Sequence, residues 1–357
     1  MHVRELSRRQ ALRGHAVRLI YRVGGEADWA FSATSVLRGS SLGALPRPAI
    51  SSLFLGLAVA DVARNRRGTD VVHFHGDYRE AVAAGALRLL GVPSLLTLHG
   101  RLSQRILRTL GFVYRLPSHL VAVSPAIAAQ LEDVGVPPKG VTIQPSGVDA
   151  EIFYPAAHPP NAPPYRVVVA STLIPLKDHA TLFAAVARLQ EEGLDVQLEV
   201  AGVGPDRDRL ESLAPAGTRF HGQVPRSALA PLIRSCHVAA LASIDVAHAG
   251  EGTPTFLMEA IACGLPFVAT DTGGVPGLAS RSRAGVVVPQ RTPDQFAAAL
   301  RLLATDVRLY DSYRRAALEL GPTLDWDRVS ERIDSVLESI VTPRSRGVDA
   351  GLVRNDG

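Results

Sequence analysis

Short apolar runs alternate with helical patterns from one end of the chain to the other, and a single proline-rich segment near the middle interrupts them. Strands of a parallel sheet are buried on both faces, so they read as near-continuous apolar runs, each followed by a helical crossover. The first half offers such runs at "AVRLIYRV", "DVVHFHG", "SLLTLHG", "HLVAVS" and "VTIQPSG", separated by helix candidates such as "YREAVAAGALRLLG". The second half offers "YRVVVAST", "VQLEVAG", "TRFHG", "HVAALAS", "PFVATD" and "AGVVVP". This pattern predicts an α/β chain of two doubly wound, Rossmann-like parallel-sheet domains facing a cleft. The expected boundaries are 1–155 for the first domain, 156–164 for a linker within "FYPAAHPPNAPPY", and 165–321 for the second domain. The amphipathic "LDWDRVSERIDSVLESI" predicts a final helix within 322–341 that packs back on the first domain, and 342–357 reads as a polar tail. Ligands of such sheets bind beyond the carboxyl ends of the strands, so the residues that follow each strand carry the functional reading.

Composition removes several function classes. With 357 residues, 46% hydrophobic and 20% charged, the chain can bury real cores and does not read as disordered. Its most apolar stretch, "ISSLFLGLAVADVA", is broken by Asp61 and falls short of the roughly 18 residues a membrane span needs. The start, "MHVRELSRRQALRGHAVRL", is charged and helix-like rather than a signal peptide, and Cys236 and Cys263 form no metal or redox spacing. Both features predict a cytoplasmic chain. A net charge of +4 without basic runs or aromatic–basic interleaving argues against nucleic acid. Only Lys139 and Lys177 are lysines among the 38 basic residues, so a lysine kept in a particular loop stands out.

The stretch "EGTPTFLME" sets one carboxylate on each side of a helix start. Thr253 suits an N-cap, Pro254 a first helical position, and Gly264 with Pro266 a stop, which predicts a helix over about 254–263. Glu251 precedes it and Glu259 lies roughly 7 Å further along the axis at 1.5 Å per residue. Between them the free N–H groups and positive end of the helix make a natural phosphate site. Two readings stay open on spacing alone. The acids are surface residues favoured by the helix dipole, or they accept hydrogen bonds from hydroxyls on either side of a bound diphosphate, as in a nucleotide-sugar. Lys177 in "ASTLIPLKDH", Gly273 and Gly274 in "DTGGVPGL", and His99 with Gly100 in "LLTLHG" all follow strands and face the same expected cleft.

Taken together these residues resemble glycosyltransferase family 4 (glycosyl transferases group 1), retaining enzymes of the GT-B fold. The resemblance runs through "HFHGDYREAVAAGALRLLGVPSLLTLHG", "VSPAIAAQLEDVGVPPKGVTIQPSGVDAEIFYP", "LIPLKDHATLFAAVARL", "VAGVGPDRDRLESL" and "EGTPTFLMEAIACGLPFVATDTGGVPGL". It implies transfer of a hexose from a UDP- or GDP-type donor to a glycan or lipid-linked acceptor, with no cofactor and no metal. By carry-over, Lys177, with Thr172 five positions before it, would hold the diphosphate. Glu251 would contact the donor hexose, and Gly252, Thr253, Pro254, Thr255 and Gly202 would complete the donor site. Glu259 would take the ribose hydroxyls. His99 would lie near the reacting sugar, with His75, Gly76, Gly100, Ser124 and Ser146 on the acceptor side. Catalysis would rest on His99, Glu251 and Lys177.

Four departures from the family pattern matter. An arginine is usual where Thr172 stands, "PNG" becomes "PSG" at Ser146, and Gly277 replaces a glutamate. The family's opening strand and glycine-rich loop have no counterpart before "HVRELSRRQALRGH". The sequence therefore predicts either a start at an internal methionine or an inactive fragment. Three other classes compete, one of them a hexose-binding protein of two α/β lobes, a kind that is usually exported and would call for a signal segment. A nicotinamide dehydrogenase would use Gly202 and Gly204, but Arg207 stands at the third glycine position. A nucleotide-sugar epimerase would share the fold and need no acceptor. In "GRLSQRILRTLGFVYRLPSH", Arg101, Arg105, Arg108 and Arg115 share a helical face and Leu102, Ile106, Leu110 and Val113 supply apolar area. That helix is either a solvated basic face over a packed one or a peripheral contact with anionic lipid at the inner face of the plasma membrane.

Overall fold

The computed structural model describes residues 2–22, 32–37, 47–100, 102–246 and 254–341. Glu251, Gly252 and Thr253, Arg101 and the 342–357 tail therefore lie outside the described residues. The first half contains α1 (His2–Leu12), β1 (Arg18–Arg22), β2 (Ser32–Leu37), α2 (Arg47–Arg64), β3 (Val72–Gly76), α3 (Tyr78–Leu89), β4 (Ser94–Leu98), α4 (Gln104–Leu110), β5 (His119–Ala122), α5 (Pro125–Asp133) and β6 (Val141–Ile143). The second half contains β7 (Tyr165–Ala170), α6 (His179–Glu191), β8 (Val196–Ala201), α7 (Arg207–Leu213), β9 (Arg219–Gly222), α8 (Arg226–Arg234), β10 (Val238–Leu241), α9 (Thr255–Ala262), β11 (Phe267–Thr270), α10 (Val275–Ser282), β12 (Gly285–Val288), α11 (Pro293–Thr305) and α12 (Val307–Leu320). A last helix, α13 (Trp326–Ile340), follows a 3₁₀ turn.

The second sheet is parallel throughout, in the order β12-β11-β10-β7-β8-β9. Its strand residues are buried on alternate sides: Val167, Val169, Val238 and Val268 against α6 and α11, and Val168, Ala239, Phe267 and Ala269 against α9. Double-sided burial is what made these strands legible as unbroken apolar runs. The order reverses between β7 and β10, so a crevice opens there beyond the strand ends.

The first sheet comes in two parallel pieces, β1-β2 and β3-β4-β5-β6, and β1 and β3 pair with no further strand among the described residues. Ile20 from one piece and Val72 and Phe74 from the other pack into a shared cluster with Val62, Leu87 and Val92. The strand "SATSVL" of β2 was absent from the sequence reading, because its small and hydroxylated residues lack the unbroken apolar signature. No helix among the described residues is long and apolar enough to cross a membrane.

The chain then returns to its beginning. Leu324 and Trp326 bracket Val148 through Val148 N–H to Leu324 O (2.7 Å) and Trp326 N–H to Val148 O (3.1 Å). From there α13 lies on α1 and the first sheet, burying Trp326, Val329 and Ile333 against Leu6, Leu95 and Val121. Polar contacts fix its register on α1: Arg9 Nε donates to Asp327 (2.9 Å), Gln10 to Asp334 (2.8 Å) and Arg13 to Asp334 (3.0 Å). Gly147 is buried where a Cβ would lie 2.5 Å from the indole of Trp326, so the glycine of "PSG" serves this close approach.

Candidate active site

The crevice at the reversal of the second sheet is walled by two loops bonded to each other. After β7 the chain runs through Ser171 and exposed Thr172 into a 3₁₀ turn, Pro175–Lys177, and Asp178 leaves the turn in the left-handed region (φ 39°) to begin α6. After β10, the Ile244 N–H donates to Leu176 O at 2.9 Å. Half-buried Lys177 thus stands between the β7 and β10 strand ends, at the topological switch point. Ser171 Oγ meets His179 Nε2 at 3.0 Å. Burial and the neighbouring Lys177 charge lower His179 to about 4, so its ring is neutral at pH 7.

Gly202 and Gly204 serve this loop. A Cβ on Gly202 (φ 146°) would sit 1.9 Å from Ser171 O, and one on Gly204 would sit 2.1 Å from Leu173 O. Leu173 N–H donates to Val203 O (3.0 Å), and Leu173 O accepts from Asp206 N–H (3.1 Å). The two glycines permit one loop to press on another, a geometric reason for their spacing that involves no dinucleotide. Gly204→Ala is expected to lower stability by about 1–3 kcal/mol, because the obstacle is backbone that cannot rotate away. A shift of the urea midpoint at unchanged m-value would measure it; no shift would contradict the packing role.

The helix of "EGTPTFLME" is one residue shorter at each end than the sequence predicted. Pro254 is extended (ψ 103°) and acts as the N-cap, giving its carbonyl to Met258 N–H, while Cys263 is the C-cap. Glu259 is only 4% exposed and faces Arg226, whose Nη2 donates at 3.3 Å. Burial pushes the Glu259 carboxyl up to about 7 against the opposing pull of Arg226. Arg226 itself lies over the Phe153 ring, 5.0 Å from its centroid. Sequence reasoning missed Arg226, which is 33 residues from Glu259 and opens an ordinary helix.

Across the cleft, a cavity of about 280 Å³ is lined by Gln104, Ser124, Ile127 and Gln130 from the first half and by Asp245, Asp271 and Gly273 from the second. Ser124 and Gly273 therefore meet here as the strand-end rule predicts. Gly277, on α10, lets α5 approach: a Cβ there would already touch Pro125 at 3.5 Å.

The remaining first-domain residues form a histidine cluster at the ends of β3 and β4. His75 Nδ1 and His99 Nε2 lie 3.0 Å apart, beside Gly76 and Gly100. His2 of α1 joins them, its Nδ1 2.9 Å from Ser146 Oγ, and the His73 ring lies tilted against His75 with centroids 4.2 Å apart. Burial, together with the neighbouring imidazoles, pushes His2 and His73 down to about 3 and His75 well below its ordinary value. These three rings are therefore neutral at pH 7. His2 carried no signal in the sequence, since only the docking of α1 by α13 brings it here.

The basic segment divides into a packed side and an exposed side. Leu102 and Val113 are buried with Leu107 and Tyr114, leaving Arg105, Arg108, Phe112 and Arg115 exposed. Both cysteines are buried, and burial pushes each thiol up to about 12, so neither serves as a nucleophile.

Comparison with known proteins agrees with this architecture. The profile described as Glycosyltransferase Family 4 matches residues 1–152, and that described as Glycosyl transferases group 1 matches 164–306. An Escherichia coli protein named as a colanic acid biosynthesis glycosyltransferase is 26% identical over 237 residues, 64% of this chain and 58% of that protein, so the match spans well under two thirds of that relative. The phosphatidyl-myo-inositol mannosyltransferase of Mycobacterium tuberculosis is 30% identical over 288 residues, 76% of this chain and 74% of that enzyme. Among solved structures, sucrose-phosphate synthase from Thermosynechococcus elongatus superposes with a TM-score of 0.76 (20% identity, covering 94% and 92% of the two chains). Anabaena HepE in complex with UDP and glucose superposes with a TM-score of 0.72 (18% identity, 94% and 96%). With two parallel-sheet domains, a cleft at their strand ends and both profiles in chain order, the protein belongs to glycosyltransferase family 4 and has the GT-B fold.

Proposed function

We propose that the chain is a retaining glycosyltransferase that moves a hexose from a UDP- or GDP-linked donor to a glycan or lipid-linked acceptor in cell-surface polysaccharide or glycolipid synthesis. One observation carries the reading: the Lys177 loop is bonded to the loop leading toward α9 and buried Glu259 at the reversal of the second sheet. The UDP and glucose bound to HepE support a nucleotide-sugar as the ligand class. In this reading the diphosphate lies against the start of α9, where Lys177 and the helix N–H groups offset its charge without a metal ion.

The bond from the anomeric carbon to the phosphate oxygen breaks, the acceptor oxygen bonds the same face of that carbon, and the departing phosphate takes the acceptor proton. Glu251 holds the hexose, Glu259 the ribose hydroxyls, and His99 flanks the reacting sugar, so most of the rate comes from positioning and charge offset. Peripheral contact with an anionic membrane would rest on Arg105, Arg108 and Arg115, since Leu102 and Val113 are buried.

Glu259 makes the proposal pH-dependent. The ionised carboxylate is the stronger acceptor for two ribose hydroxyls, since protonation turns one of its oxygens into a donor, so donor affinity is expected to rise as pH climbs through about 7. Arg226→Met removes the charge that opposes the shift and moves the midpoint upward. Stability has the opposite slope. The folded carboxyl binds its proton more tightly than the unfolded one, so the fold loses on the order of 2–3 kcal/mol between pH 4.5 and about 7. Isothermal titration of UDP across this range measures the first effect, and a flat affinity profile would remove Glu259 from the donor site.

The direct test follows nucleotide release from a panel of UDP- and GDP-sugars, with and without lipid extract, and identifies the products. Release that depends on acceptor supports a transferase. A donor converted without acceptor identifies an epimerase instead, and folded protein that binds no nucleotide-sugar overturns the site.

A further inference from the structure

The histidine cluster holds one buried ring nitrogen, His2 Nε2, that no hydrogen bond among the described residues satisfies. His2, His75 and His99 come from α1, β3 and the end of β4, and one ring nitrogen from each lies within 4.8 Å of the others. His75 Nδ1 and His99 Nε2 face each other at 3.0 Å, a separation at which two imidazole nitrogens share one proton or one cation. Tetrahedral zinc with Zn–N bonds of about 2.0–2.1 Å sets its nitrogens about 3.4 Å apart, so this pair is within a few tenths of an ångström of a metal-site edge.

The third ring is oriented from behind. Ser146 Oγ engages His2 Nδ1 at 2.9 Å, and His2 Nε2 is buried with no hydrogen-bond partner among the described residues. Trp326 packs on the His2 ring at 4.9 Å and limits its rotation. A ligating histidine whose other nitrogen is held by a second group is the usual outer arrangement of a metal centre. His73, although adjacent, is not among the three histidines whose ring nitrogens converge, and its Nε2 meets Thr97 Oγ1 at 2.7 Å.

We propose that His2, His75 and His99 bind one first-row transition cation, zinc by preference, which fastens α1 to the ends of β3 and β4. Three imidazoles without a carboxylate suit zinc, cobalt or nickel and not magnesium or calcium. Exposed His99 leaves a fourth position toward solvent for water or a hydroxyl. The metal site shares His99 with the sugar site proposed above, so the cation would sit on the first-domain wall of the cleft, and its binding is read by metal titration without requiring sugar transfer.

The test uses the untagged, chelator-stripped chain titrated with Zn²⁺ by calorimetry and with Co²⁺ by visible absorption. One equivalent should bind, with the intense d–d bands of tetrahedral cobalt and a higher unfolding midpoint. His2→Gln and His99→Gln should each weaken binding by about 100-fold or more, and Ser146→Ala by about 10-fold, while His221→Gln on the second domain leaves it unchanged. Zinc-edge X-ray absorption of the wild type counts imidazole ligands without any variant. Fewer than three imidazoles, octahedral cobalt bands, or an affinity that follows His221 rather than His2 would overturn the site.

Discussion

Trp326→Ala is expected to lower stability by about 3–5 kcal/mol, a large share of the roughly 5–15 kcal/mol that holds a typical domain. Trp326 is 1% exposed and joins three parts of the chain: α1 through Leu6, the first sheet through Leu95 and Val121, and its own helix through Val329 and Ile333. Its indole Nε1 is buried with no partner among the described residues, so truncation sacrifices packing alone and leaves a cavity that the surrounding strands cannot close. The His2 ring loses its wall in the same step. Denaturant unfolding measures the loss, and a change under about 1 kcal/mol would mean that α13 does not hold α1 on the sheet. Gly147→Val attacks the same junction from the other side, since a Cβ there would also lie 2.8 Å from the Trp326 Cα.

Lys177→Ala is expected to lower kcat by about 10²–10³-fold, the usual effect of removing one charge-stabilising donor from a transition state. The loss should be unusually complete because Thr172 stands where the family often carries an arginine, leaving Lys177 with more of the charge offset. Folding stability should change by under about 0.5 kcal/mol, since the side chain is half-buried in a turn whose shape is set by Pro175 and by the Ile244–Leu176 bond. Steady-state release of nucleotide, paired with an unfolding curve, separates the two effects. A kcat within about threefold of wild type in a folded Lys177→Ala protein would take Lys177 out of the mechanism. Lys177→Arg should recover only part of the rate, because a planar fork does not reproduce a compact ammonium at one phosphate oxygen.

The amino-acid sequence by itself determined the fold class and the strand ends where chemistry could occur. A run such as "VAAL" of β10 is apolar at every position because it is covered on both faces, and that signature survives without any knowledge of neighbours. The helix of "TFLMEAIA" was legible to within a residue at each end; its start moved by one because Pro254 takes an extended ψ and caps the helix from outside. The β2 strand was not legible, because its small and hydroxylated residues form no unbroken apolar run.

Only the tertiary structure decided which polar groups meet. Arg226 reaches Glu259 across the domain, His2 reaches His75 and His99 from another helix, and Gly147, Gly202 and Gly204 make room for specific backbone and ring atoms. The physical reason is the same in each case. Secondary structure follows from local periodicity and burial, which a sequence records directly. Contacts between residues distant in sequence depend on how whole layers dock, and here that docking is set by α13 returning to α1 and by two loops pressing together at the β7–β10 reversal.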